Sequence, residues 1–313
     1  MLLENGLPGG RVVQSFFPPT ASESDRGPGT ASRCGRYALD APPLACGAAR
    51  RALADAGVEP ASITQLITVS CTGFAAPGID AAIITSLGLP ATTERTHIGF
   101  MGCHGAINGL RVAQAFARAD PDAKIMLCAV ELCSLHFHYT SDPQQMVANA
   151  LFADGAGAVV IGAPSGSPGY DGPAVCIAAT GSCLVPNSLD AMTWTIGDHG
   201  FEMTLSPRVP SLLEAQLAPW LESWLARHGL RTGDVGGWAV HPGGPRILSA
   251  VGTSLRLADR HLEASRAVLA EHGNMSSPTV LFILERLRRA AVPRPWVAVA
   301  FGPGLVAEVA LIR

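Results

Sequence analysis

Apolar residues recur along the chain in two patterns, which predict alternating helices and strands. Helical spacing predicts helices at 43–56, 81–87, 143–151, 211–227 and 277–289, and short apolar runs predict strands at 63–70, 124–131, 158–162, 237–240, 296–301 and 306–312. Residues 1–35, which are rich in Gly, Pro and Ser, are predicted to form loop. The alternation predicts an α/β protein with layered sheets in two related halves, 1–170 and 171–313.

One cysteine lies directly ahead of a strongly amphipathic segment. Cys103 follows two glycines, and the apolar residues from Ile107 to Phe116 share one helical face. The positive end of a helix dipole lowers the pKa of a thiol and favours the nucleophilic thiolate. The alternative is a small buried apolar residue, which describes most free cysteines. Cys71, at the end of the strand predicted at 63–70, is a second candidate nucleophile.

Two further polar residues stand at the ends of predicted elements. His241 ends a strand and enters the rigid loop 242–245, and Asn274 precedes the helix predicted from 277. His241 could be a hydrogen-bonded core histidine, and Asn274 could simply cap the helix. Together with Cys103 they form a Cys/His/Asn set, and Cys/His pairs are suited to acyl transfer.

Composition excludes several other functions. The chain has 313 residues, 48% of them hydrophobic and 15% charged, and a net charge of −3 without a basic stripe, so nucleic-acid binding has no electrostatic support. Its apolar runs are too short to span a membrane, no secretory leader is evident, and the eight cysteines lack a disulfide spacing, so a cytoplasmic protein with free thiols is expected. The group Cys128, Cys133, His136 and His138 could suggest zinc. No metal is expected, because the first two lie on opposite faces of a strand.

Five motifs occur in one order along the chain. They are Gly102-Cys103, the run 150–156 (ALFADGA), the run 241–245 (HPGGP), the run 273–277 (GNMSS) and the run 301–304 (FGPG). From about residue 43 to residue 313 the chain resembles the bacterial type III polyketide synthases, the chalcone synthase-like branch of the thiolase fold.

The resemblance implies a fold, an assembly and catalytic roles. The expected fold has two related α/β halves in an αβαβα arrangement, in a homodimer. Cys103 would carry the starter and the growing chain as thioesters, paired with His241 as thiolate and imidazolium. His241 and Asn274 would donate hydrogen bonds to the thioester carbonyl and stabilise the enolate that forms when malonyl-CoA loses carbon dioxide. Phe152 would give the malonyl carboxylate an apolar surface that favours this loss.

The resemblance also implies a cavity and its substrates. The expected cavity residues are His136, Trp194, Met203, Ser276, Gly302, Pro303 and Gly304. Arg246 is expected to contact a CoA phosphate. Malonyl-CoA and an acyl-CoA starter would be the substrates, no separate cofactor would be needed, and the product would be a pyrone, a resorcinol or a related aromatic polyketide. Trp194 should leave little room for a bulky aromatic starter.

One departure from the family leaves alternatives open. The family's first strand and early N-terminal helix have no counterpart here, so we expect either a misassigned start or a truncated protein. A truncated, non-catalytic partner of a full-length synthase is therefore one alternative. A ketoacyl-ACP synthase III-like enzyme is the other, although such enzymes usually have Gln-Ala-Asn after the histidine, where this chain has Pro242-Gly243-Gly244.

Overall fold

A computed structural model describes residues 16–162 and 175–313. Within them, eight α-helices are α1 (Thr30–Ala56), α2 (Ile79–Leu87), α3 (Gly105–Ala119), α4 (Pro143–Leu151), α5 (Val209–Arg227), α6 (Pro245–Leu255), α7 (Glu263–His272) and α8 (Thr279–Arg289). Ten strands are β1 (Gln65–Ser70), β2 (Glu94–Gly99), β3 (Lys124–Leu132), β4 (Asp154–Gly162), β5 (Ile177–Leu184), β6 (Met192–Gly197), β7 (Gly200–Leu205), β8 (Gly237–Val240), β9 (Trp296–Gly302) and β10 (Val306–Ile312). The boundary predicted between residues 170 and 171 lies outside the described residues.

The strands form two four-stranded mixed sheets and one hairpin. The first sheet has the order β2-β1-β3-β4 and the second the order β5-β10-β9-β8, while β6 pairs only with β7. In the first sheet β1 is parallel to β2 and β3, and β4 is antiparallel to β3. In the second, β8 and β9 are parallel and β10 runs antiparallel to both of its neighbours.

Helices cover both sheets and separate them, which produces five layers. One face of β3, with Met126 and Cys128, packs beneath α1 and α2. The other face, with Leu127, packs against α3 and α8, and these helices also contact Ala298 of the second sheet. Helices α5 and α6 cover the outer face of the second sheet. The order α1/α2, sheet, α3/α8, sheet, α5/α6 is the predicted αβαβα arrangement of a thiolase-like fold.

The prediction of the first helix was wrong at its start. Residues 30–35 are helical, and α1 continues through Pro42 and Pro43 without ending. Proline removes a backbone hydrogen bond and favours a helix end. Here Tyr37, Ala41 and Ala45 recur at four-residue intervals and are at most 3% exposed, so burial of this face outweighs the local cost of the prolines.

Other elements were absent from the sequence prediction. These are strands β2, β5, β6 and β7 and helices α6 and α7. Strand β2 lacks the apolar run that predicted the other strands. It lies at the edge of its sheet, where its first residues, Glu94 and Arg95, are exposed and polar. Among the described residues, no helix is long and apolar enough to cross a membrane.

Candidate active site

Cys103 lies in a tight turn between β2 and α3. Residues Gly102–His104 form a short 3-10 turn, and α3 begins at Gly105. Gly102 has a φ of +67°, and a Cβ at this position would lie 2.5 Å from Cδ of Pro303. Glycine is therefore required here both for its backbone conformation and for the close approach of the loop at Pro303. In this turn Cys103 is half-buried.

The helix dipole does not leave the Cys103 thiol with a lowered pKa in this structure. Burial raises the pKa of the Cys103 thiol to about 11, and the nearby side chains of Ser276 and Asn274 counter that rise only in part. Cys103 precedes α3 in a 3-10 turn and does not lie within its first turn. Desolvation, which disfavours the thiolate, consequently outweighs the dipole. The thiol needs a basic partner in order to ionise near neutral pH.

A buried carboxylate organises the floor beneath Cys103. Glu131 on β3 is 0% exposed and accepts hydrogen bonds from Ser277 Oγ (2.6 Å), Thr72 Oγ1 (2.8 Å), the Cys71 backbone N–H (2.9 Å), Cys71 Sγ (3.2 Å) and Ser70 Oγ (3.3 Å). Burial raises the pKa of Glu131, and these donors counter the rise by stabilising the charged form. Since Cys71 donates both groups to the carboxylate and burial keeps its own thiol pKa well above the usual range, the structure disfavours Cys71 as a nucleophile.

His241 ends β8 and is fixed by its backbone alone. Its N–H donates to the Val299 carbonyl oxygen over 2.8 Å, which extends the pairing of β8 with β9. The side chain is 1% exposed, yet neither Nδ1 nor Nε2 has a hydrogen-bond partner within residues 16–162 and 175–313. Burial, with a smaller contribution from the neighbouring His104, lowers the pKa of His241 to about 3. The imidazole is therefore neutral in the ligand-free site, with both nitrogens available, and it is not the hydrogen-bonded core histidine of the alternative interpretation.

A second histidine was not anticipated from the sequence. His104 is 3% exposed, and its Nδ1 lies 2.7 Å from Oδ1 of Asn108, one turn further along α3. A Cβ at Gly302 would lie 2.6 Å from Nε2 of His104, so this glycine lets the ring lie against the end of β9. His104 thus brings the turn that carries Cys103 against the strand that pairs with His241.

Asn274 and Phe152 lie side by side in a backbone bridge. The Asn274 N–H donates to Leu151 and the Ala153 N–H donates to Asn274, each over 2.9 Å. Asn274 Oδ1 accepts from the Ser276 N–H over 2.8 Å. Helix α8 begins only at Thr279, so Asn274 is not its cap. The Asn274 Nδ2 is buried without a hydrogen bond of standard geometry, although the amide is near enough to the Cys103 thiol to lower its pKa.

Aromatic rings form the wall next to this centre. His136 stacks on Phe201 with ring centroids 4.2 Å apart, and Trp194 meets both rings edge-on at 5.4 and 5.7 Å. Trp194 Nε1 donates to the Cys71 carbonyl oxygen over 2.8 Å, which ties the wall to the floor. Met203 lies opposite Trp194 in the β6–β7 hairpin. The structure therefore brings three of the predicted cavity residues into one cluster.

Both ring nitrogens of His136 are hydrogen-bonded to the backbone and are not free to bind a substrate. Its Nδ1 accepts from the Phe201 N–H over 2.9 Å, and its Nε2 donates to the Thr72 carbonyl oxygen over 2.7 Å. Burial lowers the pKa of His136 to about 4, so the ring is neutral. Because both nitrogens are engaged by backbone, this side chain presents only ring surface to the cavity.

The remaining predicted residues fall into two groups. Gly302 and Pro303 contact the Cys103 turn, and the Gly304 N–H donates to Met192 of the hairpin over 2.8 Å, so this loop joins the centre to the wall. Arg246 is exposed in the first turn of α6. Among the described residues, Cys128, Cys133, His136 and His138 do not come together as a metal site. Cys128 Sγ instead lies 3.7 Å from the Ala45 carbonyl oxygen.

Two family models together match nearly all of the described chain. The N-terminal domain of chalcone and stilbene synthases matches residues 25–165, and the C-terminal domain matches residues 177–313. The chain belongs to the chalcone and stilbene synthase family. Its fold and its motifs make it a type III polyketide synthase of the bacterial kind, and hence an acyl-transferring enzyme.

Relatives of this synthase include enzymes with different products. It is 40% identical over 266 residues to a 1,3,6,8-tetrahydroxynaphthalene synthase of Streptomyces peucetius subsp. caesius. The aligned region covers 84% of this chain and 70% of that protein. It is 35% identical over 270 residues to the alpha-pyrone synthesis polyketide synthase-like Pks18 of Mycobacterium tuberculosis, with 85% of this chain and 69% of that protein covered.

Solved structures show the same fold. PKS-I from the brown alga Ectocarpus siliculosus superposes with a TM-score of 0.87 at 35% identity, covering 91% of this chain and 78% of the other. The C-terminal type III polyketide synthase domain of Steely1, a type I/III hybrid from Dictyostelium, superposes with a TM-score of 0.85 at 29% identity, covering 91% and 80%.

Sequence reasoning missed Glu131 and His104 in this type III polyketide synthase. A signal for Glu131 was present, because a single acidic residue interrupts an otherwise apolar strand, and such a residue is buried only with partners. His104 carried no comparable signal, since its neighbours across the turn come from residues about 200 positions later in the chain.

Proposed function

We propose that this synthase condenses malonyl-CoA repeatedly onto an acyl group carried by Cys103 and then cyclises the product. The observation that supports this most directly is the pair of unsatisfied buried donors. Among the described residues, both ring nitrogens of His241 and the Nδ2 of Asn274 lack a hydrogen bond of standard geometry, whereas the Glu131 carboxylate accepts five. An unpartnered buried donor costs stability, so its retention beside a thiol indicates a ligand oxygen that completes it.

Loading of Cys103 requires proton transfer to His241. Neither group ionises alone, since desolvation opposes each charge, but transfer of the thiol proton to the imidazole creates two opposite charges whose attraction is weakly screened in this buried site. The thiolate then attacks the acyl-CoA carbonyl, the C–S bond to CoA breaks, and CoA leaves with the proton.

Extension begins with the loss of carbon dioxide from malonyl-CoA. The bond between C2 and the carboxylate breaks, and its electron pair passes into an enolate whose oxygen accepts from His241 and Asn274. Phe152, held beside Asn274 by the backbone bridge, supplies an apolar surface where a carboxylate is poorly solvated. The enolate carbon attacks the Cys103 thioester, and the Cys103 thiolate leaves. This sequence requires no cofactor, because decarboxylation itself generates the carbanion.

The supporting experiment follows malonyl-CoA and products together. We expect carbon dioxide release from malonyl-CoA by the wild-type chain, and pyrone, resorcinol or related aromatic products by mass spectrometry with a panel of acyl-CoA starters. Cys103→Ala should abolish product formation while still permitting decarboxylation by His241 and Asn274. A wild-type chain that releases no carbon dioxide, and turns over only when mixed with a full-length synthase, would instead establish the non-catalytic partner.

We also infer that Arg246 contributes to CoA binding and that the chain forms a homodimer. Arg246 lies five residues after His241, exposed in the first turn of α6, which is suited to an anionic group outside the site. Phe74 and Met101, beside the Cys103 turn, are 47% and 45% exposed, and such apolar surface favours contact with a second copy. Arg246→Ala should raise the KM for malonyl-CoA several-fold with kcat unchanged, and an unchanged KM would refute the role of Arg246 in CoA binding.

Size-exclusion chromatography with light scattering should give twice the chain mass, and a monomer would refute the homodimer.

A further inference from the structure

Arg33 is a buried cation without a carboxylate partner. It lies on the first turns of α1 and is 1% exposed. Burial lowers the pKa of Arg33 to about 10, which still leaves the side chain charged. Within residues 16–162 and 175–313 it forms no ion pair. A buried charge of this kind is costly, so its retention calls for a role that an apolar side chain could not fill.

The guanidinium donates instead to backbone carbonyls that flank His136. Nη1 donates to Leu135 over 2.5 Å and to Phe137 over 2.8 Å. Nε donates to the Pro28 carbonyl oxygen over 2.7 Å. Nη1 therefore fixes the backbone on both sides of His136 while Nε of the same planar group holds Pro28, and a single ammonium could not make all three bonds with the same geometry.

The same side chain supports the turn of the β6–β7 hairpin. Gly200, which precedes Phe201, packs directly against Arg33, and a Cβ at Gly200 would lie 3.1 Å from Cδ, Nε and Cζ. Thr30, on the same turn of α1, donates its N–H to Asp198 over 2.8 Å and accepts from the Gly200 N–H over 2.9 Å. The start of α1 therefore holds the hairpin at the point where Phe201 begins.

These two contacts meet at the aromatic wall. His136 and Phe201 stack at 4.2 Å and are joined by the hydrogen bond from the Phe201 N–H. We propose that Arg33 is a positioning residue that sets the separation of His136 and Phe201 and thereby the size of starter that the cavity accepts. This inference rests on the proposed condensing function.

The test compares starter selectivity with a reaction that does not use the wall. Arg33→Lys keeps the charge but loses the planar group that holds Pro28, Leu135 and Phe137 together, so we expect the ratio of kcat/KM between a long and a short acyl-CoA starter to change about tenfold. Malonyl-CoA decarboxylation should remain within about twofold, because Cys103, His241 and Asn274 are untouched. Arg36→Lys, an exposed residue one turn along α1 that pairs with Asp40, is the matched control and should change neither quantity.

A double-mutant cycle separates positioning from general destabilisation. In a Phe201→Leu background the stacked wall is already broken, so Arg33→Lys should produce no further change in the starter ratio. Full additivity of the two changes would overturn the proposal, as would an unchanged ratio in Arg33→Lys. Wild-type chain that fails to decarboxylate malonyl-CoA would refute the proposed function instead.

A second variant covers the case in which Arg33→Lys does not fold. Arg33→Ala leaves a space for free guanidinium, and millimolar guanidinium should restore the wild-type starter ratio, whereas equimolar urea should not. If guanidinium restores the thermal stability of Arg33→Ala but the starter ratio stays altered, Arg33 has only a structural role.

Discussion

Glu131 and His241 are both buried polar side chains of the candidate active site, but they differ in their hydrogen-bond partners. Glu131, on the first sheet, accepts five hydrogen bonds, whereas His241, on the second, makes none through its ring. A saturated carboxylate contributes rigidity, because every group around it loses an acceptor if it moves. An unsatisfied imidazole contributes reactivity at a cost in stability. The first half of the fold thus supplies a fixed floor, and the second half supplies the groups that await substrate.

Glu131→Ala should produce the largest effect on this comparison. Four residues would lose their acceptor in the interior, and we expect the free energy of unfolding to fall by about 3–5 kcal/mol in urea titrations. Glu94→Ala, at an exposed carboxylate on the neighbouring strand β2, is the control and should cost less than about 1 kcal/mol. Equal losses in the two variants would mean that the Glu131 network carries no special stability.

His241→Gln should leave stability nearly unchanged and impair reactivity. Without the imidazole, the Cys103 thiol keeps the pKa of about 11 that burial imposes, so its thiolate is scarce at pH 8. We expect alkylation of Cys103 by iodoacetamide at pH 8 to slow by about 100-fold. Mass spectrometry resolves Cys103 from the exposed Cys176, which serves as the internal control. Identical pH profiles of alkylation in the two proteins would exclude the thiolate–imidazolium pair.

Trp194→Gly extends the comparison to the aromatic wall, which links the two halves. Removal of the indole opens space beside His136 and Phe201, and we expect kcat/KM for an aromatic acyl-CoA to rise about tenfold relative to a short aliphatic one. Ile196→Gly, at an exposed position of the same strand, should leave this ratio unchanged. Failure of Trp194→Gly to broaden the range of starters would remove Trp194 from the cavity.

Glu131→Gln should give the smallest effect, visible only through its dependence on pH. Because burial raises the pKa of Glu131 in the folded state, the stability that its protonation contributes is complete below the ordinary carboxyl pKa of 4.5 and is lost as pH rises. The melting temperature of the wild-type protein should therefore fall relative to that of Glu131→Gln between pH 4 and pH 7. The corresponding change in the free energy of unfolding should be only a fraction of the loss caused by Glu131→Ala. A difference that stays constant with pH would mean that Glu131 does not change protonation state in this range.

Prediction from the sequence succeeded where local pattern and chemistry agree. Strands β3, β8, β9 and β10 were expected within about two residues of their observed ends, because buried strands are continuous apolar runs. It failed where tertiary contacts decide, as in α1, which passes through two prolines because its alanine face is buried. The direction of the shift in the pKa of Cys103 failed for the same reason, since desolvation depends on residues distant in the chain.

The sequence by itself determined the layered α/β class, the order of the motifs, and the candidate residues Cys103, His241, Asn274 and Phe152. Local chemistry suffices for the first three residues, because glycine turns, strand ends and apolar periodicity depend on neighbouring residues, whereas Phe152 came from the resemblance to the family. Only the tertiary structure decided that Glu131 is saturated while His241 is not, and that Arg33 joins His136 to the β6–β7 hairpin. These hydrogen bonds join residues that are far apart in the chain, such as Ser277 with Glu131 and Arg33 with Leu135. A local sequence pattern carries no information about such contacts.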